Sequence, residues 1–358
     1  MALTGAMSAG ISGLKAHMDA LNVVGNNVAN VNTQGYKPGR VTFKESIYST
    51  QSAGSAGTAT VGGTNPRQTG YGVGIGTIDL DMSSRSLDST GRGMDCAIQG
   101  DGFFLVGDKT HDIDSMDALK GLTLTRVGNF EFRDGYLTDG QGNVVYGFIT
   151  RSNGDAPGTT PGDKPSTDLV TIRLPMKSTD PNSKGDAVYV GVDNQTGANV
   201  YPDNDPAATV DGFVDLENIS IDKNGKITGT NKDTGDPVVV GYIALGSVEN
   251  LNGVLHTEGP YYTAGDAAGD IRVGTPGNSV TGNLRNDKIT DGNNVVAPDS
   301  ALAEGSGATL MTGFLEASGT DLAAEFANMI IYQRGYQANT RIVTVTDTML
   351  EELVNMKR

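Results

Sequence analysis

The side chains most capable of chemistry in this chain are three histidines and one cysteine. His17, His111 and His256 lie far apart, and no H-x-x-H or H-E-x-x-H spacing brings two of them onto one helical face as a zinc site requires. Cys96 has no CxxC partner, and the surrounding stretch MDCAIQ is typical of a strand, so we expect a small, buried, apolar side chain there. Since no G-x-S-x-G elbow is present either, the sequence predicts no metal, no cofactor and no nucleophilic catalytic site.

Two glycine-rich stretches resemble ligand-binding loops only superficially. In GYGVGIG, residues 70–76, the glycines alternate strictly and no helical pattern follows, which predicts a strand in close approach to a neighbour and not a phosphate cradle. DKNGKITG lacks the ligand spacing of a calcium loop and indicates a turn. The abundant carboxylates are compatible with a glycosidase pair, but the sequence does not place two of them across a sugar ring.

Charge and composition exclude several classes of protein. Lys and Arg total 26 against 42 Asp and Glu, a formal net charge of -16 over 358 residues, which argues against nucleic acid and anionic membranes as partners. Hydrophobic residues make up 37%, Trp is missing and Gly reaches 50 residues, a composition that favours turn-rich β structure. We find neither a cleavable signal peptide nor an apolar run long enough for membrane insertion. These features alone predict a soluble cytoplasmic protein.

The two ends of the chain carry helical apolar stripes, unlike the residues between them. The N-terminal stripe follows spacings of three, four and seven and comprises Met7, Ile11, Leu14, Met18, Leu21 and Val28. The C-terminal stripe has a strict heptad row, widened by Phe326, Ile330 and Leu353, and comprises Leu322, Met329, Tyr336, Val343 and Leu350. Because a lone heptad helix leaves its seam exposed, we expect the two helices to pair with each other or with copies of the chain.

The charges at the ends of the C-terminal stripe suit the dipole of a single long helix. Asp321 and Glu325 begin the segment, and Lys357 and Arg358 end it. Unbroken, this helix would be about 55 Å long at roughly 1.5 Å per residue. Gly335 and the β-branched run IVTVT weaken it locally, so it needs packing to persist.

Between the ends the sequence has period two and turn signals. Residues 122–149 alternate, with Phe130 and Phe132 on one side and turns at Asp134-Gly135 and Asp139-Gly140, which predicts an antiparallel meander. Residues 236–248 are typical of another strand, and Asn224-Gly225 of a hairpin turn. No series of βαβ units appears. Stretches beginning at residues 51 and 151 are interpreted as flexible connections, and residues 263–307 are rich in loops.

Both ends, and one internal stretch, resemble the axial protein family of bacterial flagellar rods and hooks. The N-terminal motif is SGLKAHMDALNVVGNNVANVNTQGYKPGRVTF, and the C-terminal motif begins LEASGTDLAAEFANMIIYQRGYQANT. Internally, TGRG-x-D precedes A-I-x-G-x-GFF, which is similar to hook proteins within that family. The resemblance covers roughly residues 1–150 and 236–358, while residues 151–235 carry no motif of the family.

The resemblance implies a structural subunit and no enzyme. Such a subunit is exported through the flagellar type III apparatus without a cleaved signal peptide, so the resemblance replaces the cytoplasmic prediction with an extracellular one. It polymerises on the distal rod protein, under a hook cap, into a curved helical tube that transmits motor torque to the filament. Its partners are copies of itself, the distal rod protein, the hook cap, the hook-filament junction proteins and the export apparatus.

In such a tube the asparagine-rich motif at residues 26–37 has two readings. The side chains of Asn26, Asn27 and Asn30 bond neighbouring backbones where chains crowd, or they merely cap and end the helix. Gly35 is expected to supply a turn and Tyr36 an amphipathic anchor into the first β domain. With Asn339 and the two apolar stripes, these residues form the predicted polymerisation surface.

We therefore predict an α+β, mainly β fold in a nested, discontinuous arrangement. Residues 1–34 and 318–358 form terminal helices that pair in a coiled-coil-like inner layer, and residues 35–70 connect them to the β domains. Residues 71–150 and 236–317 form an inner β domain, and residues 151–235 an outer one. Two alternatives remain open: a distal rod protein of the same family, and an extracellular β-rich adhesin or glycan-processing enzyme that uses the acidic loops.

Overall fold

The computed structural model has one long helix at each end and antiparallel β structure between them. It describes residues 2–57, 62–109, 116–149, 169–179, 184–188, 191–192, 199–200, 210–276, 290–291, 294–295 and 308–356. The helices are α1 (Ala2–Ala29), α2 (Met116–Lys120) and α3 (Leu322–Met356). The predicted α+β, mainly β class is confirmed.

The first fourteen strands lie between residues 39 and 188. They are β1 (Gly39–Glu45), β2 (Tyr48–Ser52), β3 (Arg67–Gly70), β4 (Val73–Leu80), β5 (Leu87–Ser89), β6 (Cys96–Gln99), β7 (Phe103–Gly107), β8 (Thr123–Thr125), β9 (Glu131–Arg133), β10 (Tyr136–Thr138), β11 (Val144–Ile149), β12 (Val170–Thr171), β13 (Met176–Ser178) and β14 (Ala187–Val188). The remaining strands are β15 (Gly191–Val192), β16 (Asn199–Val200), β17 (Val210–Phe213), β18 (Leu216–Ile221), β19 (Lys226–Asn231), β20 (Pro237–Ile243), β21 (Leu245–Val248), β22 (Val254–His256), β23 (Tyr261–Ala264), β24 (Ile271–Gly274), β25 (Thr290–Asp291), β26 (Asn294–Val295), β27 (Thr309–Thr312) and β28 (Phe314–Glu316).

The chain divides into two compact units. The helical unit comprises Met1–Thr33, Lys37–Asp81 and Ser318–Arg358, and the β unit comprises Gln34–Tyr36 and Met82–Ala317. The division of the centre into an inner and an outer β domain stays a prediction, because much of residues 151–235 lies outside the described residues.

In the helical unit, α1 and α3 run antiparallel along each other. Gly10 faces Val343, whereas Asn27, at the other end of α1, bonds Glu325 near the start of α3. The ribbon formed by β1 and β4 packs on α1. Gly72 comes so close to Ser12 that a methyl group there would overlap the hydroxyl, which confirms the predicted close approach. Residues 70–76 are, however, interrupted between β3 and β4 and are not one strand.

α3 is unbroken, although Gly335 and the β-branched run IVTVT were predicted to weaken it. The hydroxyls of Thr344, Thr346 and Thr348 bond back to the carbonyls of Arg341, Ile342 and Val345 at 2.9, 2.6 and 2.9 Å. These bonds satisfy polar groups of the β-branched side chains within the helix. Packing against α1 supplies the rest of the stabilisation that a run of poor helix formers needs.

The β unit is built on a thirteen-stranded sheet whose central path is β18-β19-β20-β11-β7-β8-β23-β22. Every strand pairing among the described residues is antiparallel, in agreement with the lack of βαβ signals. The predicted meander is confirmed in β9, β10 and β11, and Asp134 and Gly135 adopt the positive φ values of 51° and 79° that its first turn requires. Phe130 is fully buried and meets Phe104 edge-on at 5.0 Å between ring centroids.

Three further predictions in the β unit can be compared with the structure. The Asn224-Gly225 hairpin is confirmed between β18 and β19, with Gly225 at a φ of 76°. Residues 236–248 form two strands and not one: β20 ends at Ile243 and β21 begins at Leu245. The second strand, β21, pairs with β24. Cys96 is buried, as expected.

Among the described residues, no helix combines the length and the apolar character needed to span a bilayer.

Candidate functional site

The face of α1 that is buried against α3 consists of small residues. Its members recur every three or four positions and are Gly10, Gly13, Ala16, Ala20 and Val24. A methyl group added at Gly13 would lie 2.7 Å from the amide of Asn339, and one at Gly10 would lie 3.2 Å from Val343. Because four of these five positions carry only a hydrogen atom or a methyl group, the two helix backbones can approach closely.

An aromatic cluster occupies the middle of the helix pair. The His17 ring of α1 lies 5.6 Å from Phe43 of β1 and 6.1 Å from Tyr332 of α3, and those two rings are 5.9 Å apart. The ring also packs on the backbone of Gly335, where a methyl group would lie 2.6 Å from Nε2. Burial, and to a lesser degree the charge of Glu325, raise the pKa of Tyr332, so its hydroxyl stays neutral near pH 7. The cluster therefore joins α1, α3 and the ribbon through ring contacts.

Gly335→Ala is expected to destabilise the helical unit, although alanine favours a helix by roughly 1 kcal/mol over glycine. The added methyl group would displace His17 and separate the helices, at a cost of about 1–3 kcal/mol. Gly25→Ala is the matched control, because nothing lies within 4 Å of its added methyl group and only the helix propensity changes. In thermal unfolding followed by circular dichroism, the melting temperature should fall for Gly335→Ala and rise for Gly25→Ala. Equal stabilisation by both would contradict the close contact.

Asn27 is the polar centre of the helical unit and is only 1% exposed. Its side-chain amide donates to the carbonyl of Gly39 at 2.8 Å and to Glu325 Oε1 at 2.9 Å. Its side-chain oxygen accepts from the Gly39 amide at 3.0 Å, and its backbone carbonyl accepts from Thr320 Oγ1 at 3.1 Å. One side chain thus joins the end of α1 to the start of β1 and to the first turn of α3.

The other two asparagines act at the end of the helix. Asn30 Nδ2 donates to the carbonyl and to the side-chain oxygen of Asn26, at 2.9 and 3.1 Å. Ser318 Oγ donates to the Asn30 carbonyl at 2.9 Å. Asn30 therefore ends the helix, as one reading of the motif predicts. Asn27 bonds the backbone of its own chain at Gly39, and bonding between crowded chains stays a prediction.

Gly35 and Tyr36 belong to the β unit. Gly35 has a φ of 68°, and its amide donates to the Glu316 carbonyl at 2.8 Å, so the predicted turn is present. A methyl group there would lie 2.8 Å from Val127, and Tyr36 is 8% exposed. Beside them, Arg126 and Glu316 form an ion pair at 3.2 Å whose side chains are 3% and 1% exposed.

Large apolar side chains of the predicted stripes flank the helix contact on both helices. On α1, Met7 and Ile11 are each 37% exposed and Met18 is 48% exposed, while Leu14, Leu21 and Val28 are half-buried. On α3, Leu322 and Tyr336 are each 39% exposed and Phe326 is 50% exposed, while Met329, Asn339, Val343 and Leu350 are half-buried. The helical unit on its own therefore leaves much of both stripes uncovered.

The small-residue face and the Asn27–Glu325 bond were not anticipated from the sequence. The recurrence of Gly and Ala at positions 10, 13, 16 and 20 was the available signal, since small residues at helical spacing mark a close helix contact. The heptad rows drew attention to the larger side chains beside that face. The bond to Glu325 joins residues 298 positions apart, and no local sequence pattern predicts it.

Neither metal chemistry nor thiol chemistry is indicated in the part of the chain that the structure describes. No group of three or more His, Cys, Asp or Glu side chains could hold a metal ion there. Burial, with a smaller contribution from Asp95, raises the pKa of the Cys96 thiol well above its usual value, which keeps it protonated and unreactive.

Comparisons with known proteins match both helices and nearly the whole chain. Residues 7–37 match the family model described as flagella basal body rod protein, and residues 311–356 match the model described as flagellar basal body rod FlgEFG protein C-terminal. The flagellar basal-body rod protein FlgG of Bacillus subtilis is 32% identical over 98% of this chain and 97% of its own length. The chain belongs to the flagellar rod and hook protein family.

Flagellar hook proteins are among the other full-length relatives. The flagellar hook protein FlgE of Salmonella typhimurium is 27% identical over 98% of this chain and 99% of its own length. FlgE of Borreliella burgdorferi is 26% identical over 97% of this chain and 98% of its own length. The resemblance drawn from the terminal motifs is confirmed, and the family members named here are rod and hook components.

Proposed function

We propose that this chain is the structural subunit of a bacterial flagellar hook, polymerising into a curved helical tube between rod and filament. The observation that carries the proposal is the uncovered apolar surface on both sides of the helix pair, in a chain whose full-length relatives include hook proteins. Such surface is stabilised when another subunit covers it. A repeated heterologous contact of this kind gives an open helical tube and not a closed ring.

In this proposal the helical units form a coiled-coil-like inner layer, and the β domains are nested outside it. The exposed apolar residues of the predicted polymerisation surface contact neighbouring copies. The distal rod protein, the hook cap, the hook-filament junction proteins and the type III export apparatus are the further proposed partners, in an extracellular location. No enzymatic role is proposed, because the relatives are named as structural components of the flagellum.

The distal rod is the second candidate function. The Bacillus subtilis relative, named as a rod protein, has a higher identity than the hook relatives cited above. The two candidates differ in the shape of the polymer and not in its chemistry. Negative-stain electron microscopy of assembled material should show curved tubes for a hook subunit, and straight tubes would favour the rod.

Charging the apolar face of α1 is expected to abolish polymerisation. Ile11→Glu with Met18→Glu places two carboxylates on the exposed stripe, and we expect at least a tenfold loss of sedimentable polymer because a buried unpaired charge is costly. Ser8→Glu with Asn22→Glu is the control of equal charge, since both residues are exposed and neither belongs to the apolar stripe. Polymerisation of the first variant at wild-type concentration would contradict the proposal, as would tubes formed by a chain lacking residues 321–358.

A further inference from the structure

α3 carries five charged side chains that have no partner among the residues that the structure describes. Arg334, Arg341, Asp347, Glu351 and Glu352 are all exposed, and their side chains make no ion pair or hydrogen bond with any described residue. The acids in the first turn differ from them: Asp321 caps the helix, accepting from the Ala323 amide at 2.9 Å, and Glu325 bonds Asn27.

These charges are segregated along the helix. The two arginines lie one heptad apart in the middle of α3, and Glu351 and Glu352 lie close to its end. About fourteen residues separate the midpoints of the two pairs, or about 21 Å at roughly 1.5 Å per residue. Side chains on one helix meet only three or four positions apart, so the arginines cannot reach these glutamates within their own helix.

Three of the five charges also lie on the side of α3 away from α1. At about 100° per residue, Arg334, Arg341 and Glu352 fall within about 20° of one line along α3. That line, which we call the charged strip, lies on the opposite side of the helix from Tyr332 and Asn339, which contact α1. A partner for the strip must therefore come from outside the helix pair.

Exposed apolar side chains border the charged strip on both sides. Phe326 and Ile330 lie on one side, 50% and 52% exposed, and Val345 and Met349 lie on the other, 52% and 49% exposed. A helix that covered either apolar border would bring its own long charged side chains next to the strip. The position of the apolar surface thus favours another copy of α3 as the neighbour.

We infer that Arg334 and Arg341 of one copy bind Glu351 and Glu352 of a neighbouring copy, and that this pairing sets the axial offset between adjacent α3 helices at about 21 Å. The inference rests on the proposed function and names the register of its contact. A single repeated heterologous contact keeps all α3 helices parallel, so basic middles and acidic ends meet only when the copies are staggered. In a chain with a net charge of -16, such cationic groups are scarce, and placing them against carboxylates offsets the repulsion between copies.

Charge reversal with cross-complementation tests the inference. R334E/R341E makes the strip acidic throughout, and E351R/E352R makes it basic throughout. We expect each variant alone to require at least a tenfold higher protein concentration to sediment as polymer in about 0.05 M salt, where screening is weak. An equimolar mixture of the two should assemble near the wild-type concentration, because every contact between unlike copies is then attractive. The quadruple swap R334E/R341E/E351R/E352R should assemble alone.

The controls separate failure of the inference from failure of the proposed function. Circular dichroism and hydrogen exchange at the Gly39 amide should match the wild type in every charge variant. If R334E/R341E polymerises like the wild type, or if the mixture does not assemble, the inference is wrong and the hook proposal is unaffected. If the wild type forms no polymer, both are wrong. A helical reconstruction in which adjacent α3 helices lie in register, arginine beside arginine, would also overturn the inference.

Discussion

Replacing Arg126 with methionine is expected to lower the free energy of unfolding of the β unit by about 3–5 kcal/mol, the usual cost of removing one partner from a buried ion pair. The substitution would remove the guanidinium that lies 3.2 Å from the buried Glu316 carboxylate. It would also remove the hydrogen bonds from Arg126 to the carbonyls of Gly100 and Gly102, at 2.9 and 2.7 Å.

This effect should extend to the segment around Gly35, whose amide is bonded to the carbonyl of the same Glu316. Chemical denaturation monitored by tyrosine fluorescence measures the loss. Arg133→Met is the control: its ion pair with Glu131 is about half exposed and is expected to contribute less than about 1 kcal/mol. Similar losses in both variants would show that burial of the Arg126 pair has no special importance.

Asn27→Ala is expected to have the second largest effect, a loss of about 2–3 kcal/mol from the helical unit. The substitution removes three side-chain hydrogen bonds and leaves the amide and carbonyl of Gly39 and the Glu325 carboxylate without their donor or acceptor. Alanine itself favours the helix, so propensity alone predicts the opposite sign.

Hydrogen exchange at the Gly39 amide reports directly on this bond. A loss of about 2 kcal/mol corresponds to roughly thirtyfold faster exchange through opening of the helical unit. Asn22→Ala is the matched control, because Asn22 is exposed on the same helix and its side chain bonds no described residue. Unchanged exchange in Asn27→Ala would mean that the start of β1 is held by other contacts.

Local sequence patterns predicted the elements well where the spacing of apolar residues matches the repeat of a strand or a helix. The meander at residues 122–149 followed from alternation and two Asp-Gly pairs, and both long helices followed from apolar spacing. The break at Ala244 was missed because the run PVVVGYIALGSV has uniform strand propensity, and its division depends on pairing of β21 with β24 and β7.

The candidate site was predicted in outline and not in its chemistry. Heptad rows marked the correct helices, but glycine and alanine form the face between them, because close backbone approach leaves no room for larger side chains. Asn27 was predicted to bond backbone where chains crowd, and the backbone it bonds in this structure is that of Gly39 in its own chain. Its partners lie in β1 and α3, and only the tertiary structure brings those elements together.

The pairing of β6 with β27 delays folding during synthesis. Ile98 pairs with Leu310, and nearby Asp88 pairs with Leu315, so the two halves of each ladder are separated by more than two hundred residues. α1 likewise cannot pack against α3 until α3, which ends at Met356, has been synthesised. Neither unit can be completed on the ribosome until almost the entire chain has been translated, and closing such long loops is slow. Both units of the nascent polypeptide therefore remain incomplete for most of its synthesis.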